Sequence, residues 1–365
     1  MIDEMKTGIK QFGKALWTVA LLWLCGTIAF ANPNGKPLEA TKTKTVNKTF
    51  RISNNSELAI ENRYGEITLT HWNRNEVAIK VEIESRAAND QTAQANLDRI
   101  SIEMQQVGNK ISAETQFAKS QPQNHQNISF QIRYFVQMPA QLKAELSQKY
   151  GNINLPAKDN HEMEIEVKYG NLKAGDFVGK LELEAKYSNA TLGNLKDAVL
   201  DIAYAGDVEI GNAEKLMVDA RYSGLKAQIV KRLQLESKYS NFQIEEVDDA
   251  EIEAKYGDGS INRLKNFLKM EELDYSNLKV RALDKAFKEV RINARYGNVT
   301  LAIPASASFK VDADGLKYGS CKLSGFNVSE NEIGNDTHRC TVNGGKQGLI
   351  RFNGNGYSNL KIKSL

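Results

Sequence analysis

Histidines, cysteines and clustered carboxylates build most catalytic and metal centres, and in this 365-residue chain they are sparse or spread out. The four histidines, His71, His125, His161 and His338, stand far apart, none at metal-ligand spacing with a cysteine or a second histidine. No nucleophile elbow, phosphate-binding loop or dinucleotide fingerprint occurs. Carboxylates are plentiful but fall into a regular series, and a catalytic site in a regular series should interrupt it. Two interruptions are visible, Asp274 and Ala203, and neither brings partners. The segment from Cys321 to Cys340, with Glu330, Glu332, Asp336, His338 and Arg339, reads as an exposed loop. The expectation is a protein without catalytic residues, cofactor or metal, which is not an enzyme.

The regular series is set by a tyrosine that returns every 17 to 22 residues: Tyr150, Tyr169, Tyr187, Tyr204, Tyr222, Tyr239, Tyr256, Tyr275, Tyr296 and Tyr318. Gly or Ser usually follows it, then Asn or Asp. Tyr64-Gly65 and Tyr357-Ser358-Asn359 are outliers of the same form, and Tyr204-Ala205-Gly206 is a looser copy. A short fixed period marks a repeat architecture, in which each unit buries its apolar face against its neighbours.

Parity supplies the unit. Positions two, four and six before the tyrosine are apolar (Val167, Ile165, Met163; Ala185, Leu183, Leu181; Ala220, Val218, Leu216), and apolar residues recur three, five and eight positions after it (Leu172, Ala174, Phe177; Leu225, Ala227, Val230). This is strand periodicity on either side of a corner, with no helical period. The fold class expected is all-β, a right-handed parallel β-solenoid of about ten or more short rungs with a β-rich N-terminal cap. By the same parity the ten tyrosines form a buried ladder inside the corner, so that Tyr222→Ala should cost about 3 kcal/mol. Around Tyr275 the inward positions carry Glu271 and Lys269, which predicts a bulge or register shift near Met270.

At the corner, Gly is expected to take the left-handed conformation and Asn to tolerate it. Asn152, Asn171, Asn189, Asn241, Asn277 and Asn298 would then stand in register, each amide bonding its neighbour. The outward face of the first strand carries an acidic column (Glu166, Glu184, Asp201, Asp219, Glu236, Glu253, Glu272) and a basic one (Lys149, Lys168, Lys186, Arg221, Lys238, Lys255, Arg295, Lys317). The basic column is a candidate polyanion strip; the plainer reading is a solvated face whose opposite charges neutralise each other.

The near balance of 48 basic and 45 acidic residues gives no field that argues for nucleic acid. Lys6, Lys10 and Lys14, the apolar run 15–30 and the Ala29-Phe30-Ala31 site read as a secretory signal peptide cleaved after Ala31. The mature chain would then have no membrane span and would reside in the periplasm, on the outer surface or outside a Gram-negative-type bacterium. A flexible lead-in is expected over 32–45, a β-rich region over 46–140, the repeats over 141–320 and final rungs over 321–365. Cys321 and Cys340, 19 positions apart in an exported chain, are candidates for a disulfide.

The run Leu58-Ala-Ile-Glu-Asn-Arg-Tyr-Gly-Glu-Ile-Thr-Leu-Thr-His-Trp72, then Val77-Ala-Ile-Lys-Val81, Tyr134-Phe-Val-Gln-Met-Pro139 and the repeated Tyr-Gly-Asn units resembles bacterial exported "putative adhesin" proteins with β-strand repeats, over roughly residues 45–365. The resemblance implies a right-handed β-solenoid on an exported protein and carries over no catalytic residue. The function expected is an adhesin-like surface or envelope interaction module that binds a glycan or an envelope protein. The alternatives are a structural or regulatory periplasmic protein without a ligand and, third, a polysaccharide-active enzyme.

Overall fold

The computed structural model describes residues 40–53, 55–118, 129–159, 161–355 and 357–365. The expected signal peptide, its expected cleavage site at Ala31 and His125 lie outside the described residues. Within them the chain is all-β, with 27 strands joined in one large mixed sheet and a single described helix. No described helix is long and apolar enough to cross a membrane.

Two parallel ladders meet at the tyrosine. The segments before it pair from repeat to repeat: Leu181, Leu183 and Ala185 stand beside Met163, Ile165 and Val167 on one side and Ala198, Leu200 and Ile202 on the other. The segments after it do the same, with Leu172 beside Ala190, Ala190 beside Val208 and Val208 beside Leu225. Because the register keeps like positions together, the apolar series fuses into one continuous core, with Val167, Leu181, Val208 and Ile244 fully buried. Around Tyr275 the pairing slips between Ile252 and Glu253 and again between Met270 and Leu273, the repair expected there.

The array begins earlier than the repeat alone indicates. The strand Glu57–His71 is its first member, pairing with Lys143–Asn154 both before and after its own tyrosine. Its other side is covered by Lys110–Phe117 and Ser129–Met138, both parallel to it. Outside these, pairing turns antiparallel: Ser129–Met138 with Glu76–Ala87, and Glu76–Ala87 with Ala40–Arg51. The lead-in expected to run to residue 45 is therefore strand from Ala40 onward. The helix Asp90–Asp98 is capped by Asn89, whose side chain accepts from the Thr92 N–H at 2.8 Å. A buried polar network seals this junction. The Asn62 amide donates to the Ile132 carbonyl and to Gln148, Thr115 donates to Asn62, and Thr115 and Tyr134 share a 2.8 Å bond. With each member partnered, the network adds specificity without an orphaned group.

At the far end the order departs from the sequence. Gly348–Asn353 lies between Glu289–Arg295 and Phe309–Asp314, and Asn359–Ser364 between Asn298–Ile303 and Ser320–Ser324. The antiparallel strands Val328–Ile333 and His338–Val342 cover that end beside Phe309–Asp314.

Candidate functional site

The tyrosines are stacked, as the spacing requires, but on the outside of the corner. Val167, Ile165 and Met163 are buried as expected, while Tyr169 is 46% exposed and the other ladder rings lie between 42% and 57%. The inner-ladder expectation is thereby corrected. Its physical cause is the backbone: the ten tyrosines from Tyr64 to Tyr296 in the ladder have φ between 49° and 62°. A left-handed residue breaks the alternation of sides, turning its own side chain outward and the next one inward.

The residue after the tyrosine therefore fills the inside of the corner, which explains its size. It is not the left-handed residue; Gly65, Gly151, Gly170, Gly257 and Gly297 do not have positive φ. A Cβ on Gly151 would overlap the Gly65 carbonyl oxygen, and one on Gly170 that of Gly151. Where serine occupies the position it is buried and its hydroxyl serves the corner backbone. Ser223 Oγ donates to the Arg221 carbonyl at 2.8 Å and accepts from the Ala205 N–H at 3.1 Å, and Ser240 repeats this with Lys238 and Ser223.

Twelve of the thirteen tyrosines join one stack, in the order Tyr64, Tyr150, Tyr169, Tyr187, Tyr204, Tyr222, Tyr239, Tyr256, Tyr275, Tyr296, Tyr357, Tyr318; Tyr134 is the exception, buried in the core. Between Tyr64 and Tyr296 adjacent centroids are 4.8–5.3 Å apart and the rings are within 14° of parallel. Ring faces inside the stack thus cover each other, leaving a ridge of ring edges with one phenol group per repeat. At one end Tyr64 meets Phe117 edge-on at 5.8 Å, and Tyr64, Tyr150, Phe130, Glu84 and Arg86 line a cavity of about 300 Å³.

A polar ladder runs beside the ridge. Asn171 donates its backbone N–H and its amide to Asn152 Oδ1 (3.0 and 3.1 Å), Asn189 to Asn171 (3.3 Å), Asn277 to Asp258, Asn298 to Asn277 and Asn359 to Asn298 (2.9 Å each for the side-chain bonds). The series is interrupted at Gly224, aligned between Asp207 and Asn241, one repeat after Gly206 lengthens the corner by a residue. There the surface opens into a cleft of about 700 Å³, bordered by Tyr222, Tyr239, Asp207, Lys226, Asn241 and Asp258. The Lys226 ammonium reaches both Asp207 and Glu209 at 3.2 Å. This cleft was missed in the sequence, although the extra residue Gly206 and Gly224, at a position that elsewhere carries Asn or Asp, were its signal.

The two charge columns are brought together on one sheet face. Lys168 pairs with Glu166 and Glu184, Lys186 with Glu184 at 2.7 Å, Arg221 with Asp201 and Asp219, Lys238 with Glu236 at 3.7 Å, Lys255 with Glu272, and Arg295 with Asp274. Burial works against the Lys168 charge, but the bonds to Glu166 and Glu184 hold its pKa above the usual lysine value. Asp274, out of place in the basic column, is the partner of Arg295. Lys149 stands 5.2 Å over the Tyr150 ring and Lys317 5.3 Å over Tyr318, within cation–π range.

The remaining chemistry-bearing residues are dispersed. His71 Nε2 lies 3.5 Å from the buried Asp159 carboxylate, and burial lowers the pKa of nearby His161. His338 is held by the Cys321 carbonyl and by Asn331. Cys321 and Cys340 are both free thiols; burial pushes the Cys321 pKa up to about 12 and raises that of Cys340. Among the described residues no group of three or more His, Cys, Asp or Glu side chains could hold a metal ion.

No family model and no curated protein matches the chain. Among solved structures it is similar to a "putative adhesin" from Parabacteroides merdae (13% identity, 87% of this chain and 96% of that one, TM-score 0.35) and to another from Parabacteroides distasonis (9% identity, 88% and 97%, TM-score 0.37). A "putative lipid binding protein" from Parabacteroides distasonis is similar at 13% identity over 87% and 96%, with a TM-score of 0.29. At these TM-scores the functional reading rests on the site's own geometry.

Proposed function

We propose that the chain is an exported, non-enzymatic right-handed parallel β-solenoid that holds an extended glycan or an envelope protein along its tyrosine edge. Two parallel ladders that keep like positions of successive repeats together support the solenoid reading, and the basic flank and Ala-x-Ala site support export. One observation carries the binding role: ten tyrosines occupy left-handed backbone, where Gly or Asn is the cheaper residue. That conformation costs roughly 1–2 kcal/mol per residue, and stacking each added ring returns about 0.5–1.5 kcal/mol. The two terms nearly cancel, so ring stacking by itself gives little reason to keep tyrosine there. A ridge of ring edges and phenols, one per repeat beside a ladder of amides, is suited to a polymer lying along the axis. Ring faces are covered within the stack, so contact is through edges and hydroxyls rather than through sugar–ring stacking.

Asparagine tolerates left-handed φ and carries no ring. The mature protein and its Tyr187→Asn/Tyr204→Asn/Tyr222→Asn/Tyr239→Asn variant would be compared on a glycan array and in a cross-linking pulldown with envelope proteins. Binding by the parent that the folded variant loses is expected. Absence of any glycan or protein partner for the parent, or equal binding by the variant, contradicts the proposal. A second reading, a structural protein without a ligand, is favoured by the unbroken ring contacts; it predicts that the variant unfolds far more readily. Turnover of a polysaccharide abolished by one carboxylate substitution would overturn the non-enzymatic part.

A further inference from the structure

We propose that the C-terminal segment 348–364 is an exchangeable rung, released from its own slot to complete the same slot in a second copy of the chain. Its placement carries the idea. After the repeat of Tyr296 the chain skips one position in the stack, builds the repeat of Tyr318 and the two antiparallel end strands, and only then returns to fill the gap. The returning segment bears the repeat's own motif. Tyr357 stacks between Tyr296 and Tyr318 at 5.6 and 4.9 Å, Ser358 Oγ accepts from the Gly297 N–H at 3.2 Å, and Asn359 donates to Asn298 and accepts from Ser320.

The gap is thus shaped for any segment of this sequence, whichever copy supplies it. The strands on its two sides also carry matching motifs, Tyr296-Gly297-Asn298 and Tyr318-Gly319-Ser320. The chain enters the segment through Asn343, Gly344 and Gly345, three successive left-handed residues at φ 48°, 83° and 60°. This turn is latched to the preceding loop: the Asn343 amide donates to the Ala305 and Ala307 carbonyls at 2.8 Å, and Ser308 Oγ donates to the Asn343 carbonyl at 2.9 Å. An element joined through a short turn, and docked on repeats of the same kind as itself, is the arrangement that exchanges between protomers. Each exchange leaves the donor's gap available to another copy, so the contact propagates head to tail.

The test uses the intact chain and a fluorescent peptide of residues 346–365, with a peptide of scrambled order as control. Slow, saturable uptake of the matching peptide at one per chain is expected, with at least tenfold less of the scrambled one. The Ser308→Ala/Asn343→Gly variant, which loosens the latch outside both ladders, should take up peptide several-fold faster. Deleting Gly344 and Gly345, which shortens the turn so that the segment no longer reaches its own gap, should at least double the mass by light scattering. No uptake by parent or loosened variant, or equal uptake of the scrambled peptide, overturns the proposal.

Discussion

The two sides of the tyrosine corner are separated by one residue and obey different rules. Inside, the position after the tyrosine is packed against the repeat below so closely that it accepts Gly, Ala or Ser, and the Leu, Ile and Val columns beyond it are buried. Outside, the tyrosine is half exposed and touches chiefly its own kind. The inner side is governed by volume and backbone hydrogen bonding, the outer side by a near balance of strain and stacking. A repeat protein can therefore hold one column fixed for folding and leave its neighbour free for contact with another molecule.

The largest effect should come from adding volume to the inner column. A Cβ on Gly170 overlaps the Gly151 carbonyl oxygen, so Gly170→Val must push two repeats apart. Overpacking of this kind costs about 1–3 kcal/mol in ordinary cores and more where backbone cannot give. The variant is expected to unfold by circular dichroism well below the parent temperature or to be recovered insoluble. Leu183→Ala comes next. Leu183 is 3% exposed between Ile165 and Leu200, and loss of its side chain should reduce stability by about 2–5 kcal/mol in urea. Tyr204→Asn should cost at most about 2 kcal/mol, because relief of left-handed strain offsets most of the two lost ring contacts and the ring is only half buried. A loss as large as that of Leu183→Ala would erase the distinction between the two columns and favour a structural role for the ridge.

The period, the strand parity and the bulge near Met270 were legible because each depends on side-chain pattern alone. The Asn ladder was legible for the same reason: constant spacing places Asn171 over Asn152 whatever the corner's detailed shape. The side taken by the tyrosine was not. Extrapolating the alternation from Ala185 through Tyr187 assumes an extended backbone, and one left-handed φ reverses the outcome. Glycine next to the tyrosine drew the left-handed role to itself, yet its small size answers to the carbonyl of the repeat below. The cleft at Gly224 escaped notice because the missing amide is the event there, and an absence in a column shows only once the columns are aligned. The insertion of Asn359–Ser364 beside Asn298–Ile303 depends on pairings between residues some 60 positions apart, Asn298 with Asn359, which no local pattern encodes.

Outside both columns, the charged face sharpens the contrast by pH. Burial alone would raise the Glu184 pKa, but the hydrogen bond from Lys186 at 2.7 Å and the charge of Lys168 at 3.4 Å outweigh it and hold the carboxyl below its ordinary 4.5. Its ionised form is thus favoured in the folded chain. The stabilisation is present above the unfolded value near 4.5 and disappears as pH falls through the lower folded value. Asp219 is the opposite case: burial raises it from 3.8, with Asp201 and Glu236 adding to the rise and Arg221, whose Nε is 3.5 Å away, failing to cancel it. Its charge therefore weighs against folding once pH exceeds its raised value. In denaturant titrations from about pH 7 to pH 3, Glu184→Gln should lower stability at neutral pH and flatten the acid-side decline, while Asp219→Asn should raise stability at neutral pH and leave the acid end unchanged. These shifts should be smaller than that of Leu183→Ala, since both groups remain partly solvated. If the two variants move in the same direction, the face is an undifferentiated solvated surface, and its ion pairs have no role in fixing the strands beside the tyrosine edge.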